Sequence, residues 1–162
     1  EMEAVYMLMD RMEEFPLYMQ SRAGAHREGE RFKSKPEASL FGLRSFWTGF
    51  DAPGETCSVV VLVRIPFEVP IDPPALVRMG YLRSLGLDGF ATYTLPMAKT
   101  MMRQGAGRLI RRTEDRGVIA ILDPRLRTKP YGEEILANLP PGMRAFEDIT
   151  EALAHAAVPD RI

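Results

Sequence analysis

The chain has 162 residues, 46% of them hydrophobic, and a formal net charge of −1. That length fits one domain able to bury a core, and the near-zero charge excludes a strong global attraction to nucleic acid. One cysteine, Cys57, excludes an internal disulfide and a four-cysteine metal site within the chain, and no apolar run is long enough to span a bilayer.

Val5, Leu8, Met9 and Met12 recur at helical spacing, which predicts a helix over 2–14 ended by Pro16. Leu17 to Met19 reads as a short strand, Ala25 to Lys33 as a polar helix, and Glu37 to Gly42 as a buried strand. Cys57 to Arg64 is a continuous apolar run rich in valine, which suits a central parallel strand covered on both faces. The prolines at 66, 70, 73 and 74 then enforce an irregular connection. Helices are expected over Pro74–Leu85, over Leu95–Arg112 with Pro96 at its start, and over Tyr131–Asn138 and Glu147–Ala157. Val118 to Leu122 is a further buried strand. Strands alternate with helices, so the class is α/β with a mainly parallel sheet flanked by helices.

Between Lys99 and Lys129 lie nine Lys or Arg and three acidic residues, a local excess of six positive charges. Gln104, Arg108 and Arg111 fall at i, i+4 and i+7, one stripe of a helix, with Ala98, Met102, Ala106 and Leu109 on the opposite side. Guanidiniums keep their charge and match phosphate as bidentate forks. A solvated amphipathic face would explain the stripe equally well. It would leave Gly105 and Gly107 unexplained, since each glycine costs about 1 kcal/mol in a helix interior.

Gln104 to Arg111 resembles motif VI of superfamily 2 nucleic-acid motors. Ser45, Phe46, Trp47, Thr48, Gly49, Phe50, Asp51, Ala52, Pro53 and Gly54 resemble motif V of the DinG branch of XPD-like helicases. Arg64 to Pro73, Leu122 to Arg125 and Thr128 to Gly132 are similar to that family in the same order, so the resemblance runs from about residue 37 to 142. It implies a single RecA-like domain over 1–162, the second (C-terminal) motor domain of a 5′–3′ ATP-dependent DNA helicase. The implied roles are Arg108, Arg111 and Gln104 at the ATP phosphates, Gly49 and Asp51 at the nucleotide, and Ser45 and Thr48 at the DNA backbone.

A phosphate loop needs G-x-x-x-x-G-K-[ST], yet Gly24 to Gly29 is followed by Glu30 and Arg31, and Gly49 to Gly54 by Glu55 and Thr56. The expectation is therefore a fragment of a larger cytoplasmic protein, starting after the family's motif IV strand. The first motor domain of the same polypeptide would hold ATP and Mg²⁺, and this piece alone would bind neither strongly. The implied partners are that domain and single-stranded DNA, with no membrane. The alternative is a single-strand-binding module of a DinG-like nuclease or scaffold.

Other residues carry open readings. Phe46 and Trp47 can stack on bases or pack in the core. Arg125, Arg127 and Lys129 can track phosphate or line a solvated surface. His26 and His155 read as bystanders, and Cys57 as a small core residue. Asp72, Asp88 and Asp123 read as turn residues, with no acid–base constellation.

Overall fold

The computed structural model describes residues 16–19, 25–35, 37–42, 46, 50, 57–109 and 116–157. Their elements follow the expected order: β1 (Leu17–Met19), α1 (Ala25–Lys33), β2 (Ser39–Phe41), β3 (Val59–Leu62), α2 (Pro73–Ser84), α3 (Leu95–Ala106), β4 (Val118–Ile121), α4 (Arg125–Thr128), α5 (Tyr131–Ala137) and α6 (Ile149–Ala157). The helix expected over 2–14 lies outside the described residues.

Pairing is parallel throughout the described strands. Leu17 to Met19 run beside Ser39 to Phe41, and Val59 to Leu62 run beside Val118 to Ile121. Parallel neighbours need a crossover between them. Here α1 connects the first pair, and α2 and α3 lie between the strands of the second. The α/β class read from the sequence is the observed one.

Two apolar clusters hold these units. Tyr18 and Phe32 form one, with Leu40, Phe50 and Cys57 packed around them. The larger joins Leu62 and Ile65 to Leu95, Ala98 and Met102 of α3 and Ile135 of α5. Met102 and Ile135 are fully buried. Cys57 is half-buried rather than fully internal, and burial raises its thiol pKa.

β3 departs from expectation. Leu62 is buried, but Val59, Val61 and Val63 are 41%, 51% and 61% exposed. Alternate residues of a strand face opposite sides, so one face of β3 meets the α3 core and the other is open. An all-apolar run reads as doubly covered because valine suits a strand whichever face is filled. β2 is likewise half-buried rather than buried.

Two elements were not expected. Phe90–Thr94 forms a π-helical turn leading straight into α3, and Arg125–Thr128 forms the short α4. Asp72 and Asp88 do act locally, as expected of turn residues. Asp72 accepts from the Ala75 amide at 2.8 Å and caps α2, and Asp88 accepts from the Phe90 amide at 2.9 Å.

Candidate functional site

The apolar side of α3 matches the sequence reading. Ala98, Met102 and Ala106 are fully buried and Leu109 is 4% exposed. The polar side requires a correction. The helix expected to reach residue 112 ends at Ala106, with Gly107 as its C-cap. The Gly107 amide donates to the Arg103 carbonyl, and those of Arg108 and Leu109 donate to Gly105 and Ala106, three residues back. In that tightened last turn Leu109 is buried while the chain leaves the α-helical path.

Gly107 keeps helical backbone angles, φ −66° and ψ −4°, and a Cβ on it would lie 3.2 Å from the Arg103 carbonyl oxygen. Gln104 stays exposed in the last turn of α3, and Arg108 is half-buried beyond it. Arg111 lies outside the described residues.

Arg108 has a defined partner. Its Nη1 donates to the Phe50 carbonyl oxygen at 2.7 Å, across 58 residues of sequence. Phe50 stands between Gly49 and Asp51, so the segment after α3 meets the loop that resembles motif V. Gly49, Asp51, Ser45, Thr48 and Trp47 themselves lie outside the described residues.

The rings nearby pack on one another. Phe46 and Phe50 meet edge-on at 4.9 Å, and Phe32 lies 5.9 Å from Phe50. Phe46 is half-buried, and a Cβ on Gly42 would come within 3.1 Å of its ring. Of the two readings open for Phe46, packing is the one observed.

A second feature lies at the C-terminal ends of β3 and β4, the edge where open α/β sheets receive ligands. Asp123, read from sequence as a turn residue, is only 5% exposed. Its Oδ2 accepts from the Ile65 amide at 2.9 Å. Its two oxygens also accept from the Arg125 backbone amide, Nε and Nη2 at 2.6–3.1 Å. These bonds, Arg125 above all, hold the Asp123 carboxyl well below the usual carboxylate range, and Asp123 in turn raises Arg125.

A cleft of about 440 Å³ opens beside this pair, lined by Val63, Arg64, Leu122, Asp123, Pro124 and Arg125. The sequence signal was an aspartate directly after an apolar run, read as a buried strand but in fact mostly half-buried with Leu122 59% exposed, and an arginine two residues on. Its partner Ile65, 58 residues away, could not be read from that spacing. Arg127 and Lys129 are exposed, and His26 and His155 are exposed as well.

Among the described residues no group of three His, Cys, Asp or Glu side chains is arranged to hold a metal. None of the described helices is long and apolar enough to cross a membrane.

The chain is similar to known proteins along nearly all of its length. A family model described as "Helicase C-terminal domain" matches residues 1–142. The ATP-dependent DNA helicase YoaA of Escherichia coli K12 is 39% identical over 159 residues, which is 94% of this chain and 25% of that protein. The ATP-dependent helicase DinG of Mycobacterium tuberculosis H37Ra is 45% identical over 112 residues, 69% of this chain and 17% of its own length. The 3′-5′ exonuclease DinG of Bacillus subtilis 168 is 41% identical over 109 residues, 67% of this chain and 12% of that protein. The chain thus spans a quarter or less of the length of these relatives. With its parallel α/β architecture and the meeting of the segment after α3 with the loop around Phe50, the chain belongs to the helicase C-terminal domain family, in its DinG-like branch.

Proposed function

We propose that the chain is the second motor domain, over 1–162, of a DinG-type ATP-dependent helicase that moves 5′ to 3′ on single-stranded DNA in the cytoplasm. The observation that carries this is the Arg108–Phe50 hydrogen bond at 2.7 Å. It joins the two segments that a nucleotide-responsive domain must move together.

The division of labour follows from the chemistry of the side chains. The first motor domain, on the same polypeptide, holds ATP and its magnesium. Arg108 and Arg111 supply guanidiniums to the terminal phosphate, where a preorganised cation stabilises charge that develops during phosphoryl transfer. Gln104, exposed in the last turn of α3, lies within the same short segment and senses that phosphate or its attacking water. Gly49 and Asp51 contact the nucleotide, while Ser45 and Thr48 contact the DNA backbone. The tether between Arg108 and Phe50 gives nucleotide occupancy a physical route to the strand-gripping loop.

The test is steady-state turnover. In the full-length protein, Arg111→Ala should lower ATP turnover by roughly 10³-fold while weakening ATP binding much less. The isolated chain should not hydrolyse ATP with or without single-stranded DNA. Normal turnover at saturation with lost ATP affinity would overturn the transition-state role.

A second reading has one observation in its favour, the name of the Bacillus subtilis relative, a 3′-5′ exonuclease. In that reading the domain is a single-strand-binding module of a nuclease or scaffold. Replacing Arg108 and Arg111 together would then leave the parent's DNA processing largely intact, whereas it should abolish unwinding by a motor.

A further inference from the structure

We propose that the outer side of α2 is a docking surface for an upstream part of the same polypeptide, one that presents apolar side chains rimmed by carboxylates. This rests on the reading of the chain as one domain of a longer protein.

α2 is apolar on two sides. Ala75, Met79 and Leu82 recur at i, i+4 and i+7 and face the rest of the chain. Ala75 is buried, and Met79 and Leu82 are half-buried. Met79 sits so close to Gly89 that a Cβ there would meet its Sδ at 2.6 Å. Leu76, Val77, Tyr81 and Leu85 occupy the opposite side, and all are exposed, Val77 at 73% and Tyr81 at 63%. Ile71, just before the helix, is exposed as well. A surface helix normally turns charged residues outward, and one that is apolar all round is normally covered. Here Arg83 is the only charged residue on the outer side of α2.

The surface is rigid although nothing in the chain covers it. Asp72 caps the first turn through the Ala75 amide at 2.8 Å. On the flank the Arg78 guanidinium lies 4.2 Å from the centre of the Tyr93 ring and 3.7 Å from the Glu68 carboxylate. Gly86, at φ 72°, closes the other end, and the Leu87 amide donates to the Leu82 carbonyl at 3.0 Å. Docking therefore has little backbone left to order.

Size and charge select the occupant. Twelve residues of helix are about 18 Å long, and one side of that falls short of the roughly 800 Å² per partner of a stable complex between separate proteins. Two parts of one polypeptide need less, because the tether raises their effective concentration. The chain matches only 25% of the length of the Escherichia coli relative, so such a polypeptide has ample surface to offer. Asp72 and Asp88, the acidic residues at the two ends of α2, are engaged by backbone amides, and Arg83 has no ion-pair partner among the described residues. A second copy meeting this side across a two-fold axis would bring guanidinium toward guanidinium. An apolar surface with carboxylates at its rim matches both the aliphatic patch and Arg83.

The test uses the full-length parent with Tyr81→p-benzoylphenylalanine, a photoreactive ring in place of the exposed one. Irradiation without nucleotide should give a product of monomer mass, linked from position 81 to a residue upstream of this domain, as read by mass spectrometry of its peptides. Val77→Asp in that background should lower the yield about 10-fold, since docking would bury an unpaired charge. Arg83→Glu should lower it about 3-fold, the scale of a rim ion pair. A product of dimer mass, a link that stays within residues 1–162, or no link at all overturns the proposal. So does a yield indifferent to both substitutions. ATP turnover of the same parent separates the two readings. A link to the upstream part in a protein without turnover defeats the motor reading alone, and normal turnover without the link defeats the docking surface alone.

Discussion

Arg108 and Phe50 are joined by a 2.7 Å hydrogen bond from a guanidinium Nη1 to a backbone carbonyl. The bond is charge-assisted and partly buried, and it ties the end of α3 to the aromatic cluster of Phe32, Phe46 and Phe50. Such bonds contribute more than neutral ones, on the order of 1.5–3 kcal/mol. Arg108→Ala should therefore destabilise the chain by about 2 kcal/mol in urea unfolding, quite apart from any effect on turnover. A change within about 0.5 kcal/mol, the range of an ordinary surface substitution, would mean that the bond is no tether.

Asp123 makes a pH-dependent contribution whose sign is fixed by the direction of its shift. The folded carboxyl titrates below the usual carboxylate range, so the folded state binds its proton less readily than the unfolded state. The stabilisation is complete above the unfolded value of about 4 and is lost as pH falls below it toward the lower folded value. Asp123→Asn should cost about 2–3 kcal/mol at neutral pH. This is below the ~3–5 kcal/mol of a broken buried pair because Arg125 is 40% exposed. Urea unfolding of both proteins from pH 7 to pH 3 should show the gap constant down to about pH 4 and narrowing below it. A gap that widened in acid would contradict the assigned direction.

Local pattern carried most of the fold. α1 runs over the expected Ala25–Lys33, where Glu28–Arg31 and Glu30–Lys33 pairs bridge one turn and the polar face is self-evident. The crossover pattern and parallel pairing follow from alternating apolar runs and helical periods. What escaped is what distant residues decide. α3 stops at Ala106 because its next residues answer to Phe50. Asp123 is a clasp because Ile65 presents an amide to it. The π-helical turn at Phe90–Thr94 leaves no periodic mark in five residues. Of the candidate site, Arg108 could be located beside the segment that resembles motif V, while the roles of Gln104 and Arg111 rest on resemblance.

Two glycines give opposite expectations for the same substitution. A Cβ on Gly132 would collide with the Leu126 carbonyl, whereas one on Gly80 meets nothing within 4 Å. Gly132→Ala must push apart the backbone between α4 and α5 and should cost about 3 kcal/mol or more. Gly80→Ala, within α2 and exposed, should stabilise by about 0.5–1 kcal/mol through helix propensity and a less flexible unfolded chain. Thermal unfolding of both variants checks this. Equal destabilisation would mean that α2 is covered on the side of Gly80.

The open face of β3 makes the last prediction. Leu62 is 5% exposed against the α3 core, and its neighbour Val61 is 51% exposed on the other face. Leu62→Ala should cost about 2–5 kcal/mol, the loss of a buried aliphatic side chain with the cavity it leaves. Val61→Thr replaces a methyl by a hydroxyl of similar shape where water can reach it. It keeps the β-branch, so it should cost less than about 1 kcal/mol. Urea unfolding of the chain gives both numbers. A Val61→Thr penalty approaching that of Leu62→Ala would mean that something covers this face in solution, and the doubly covered strand read from the sequence would return.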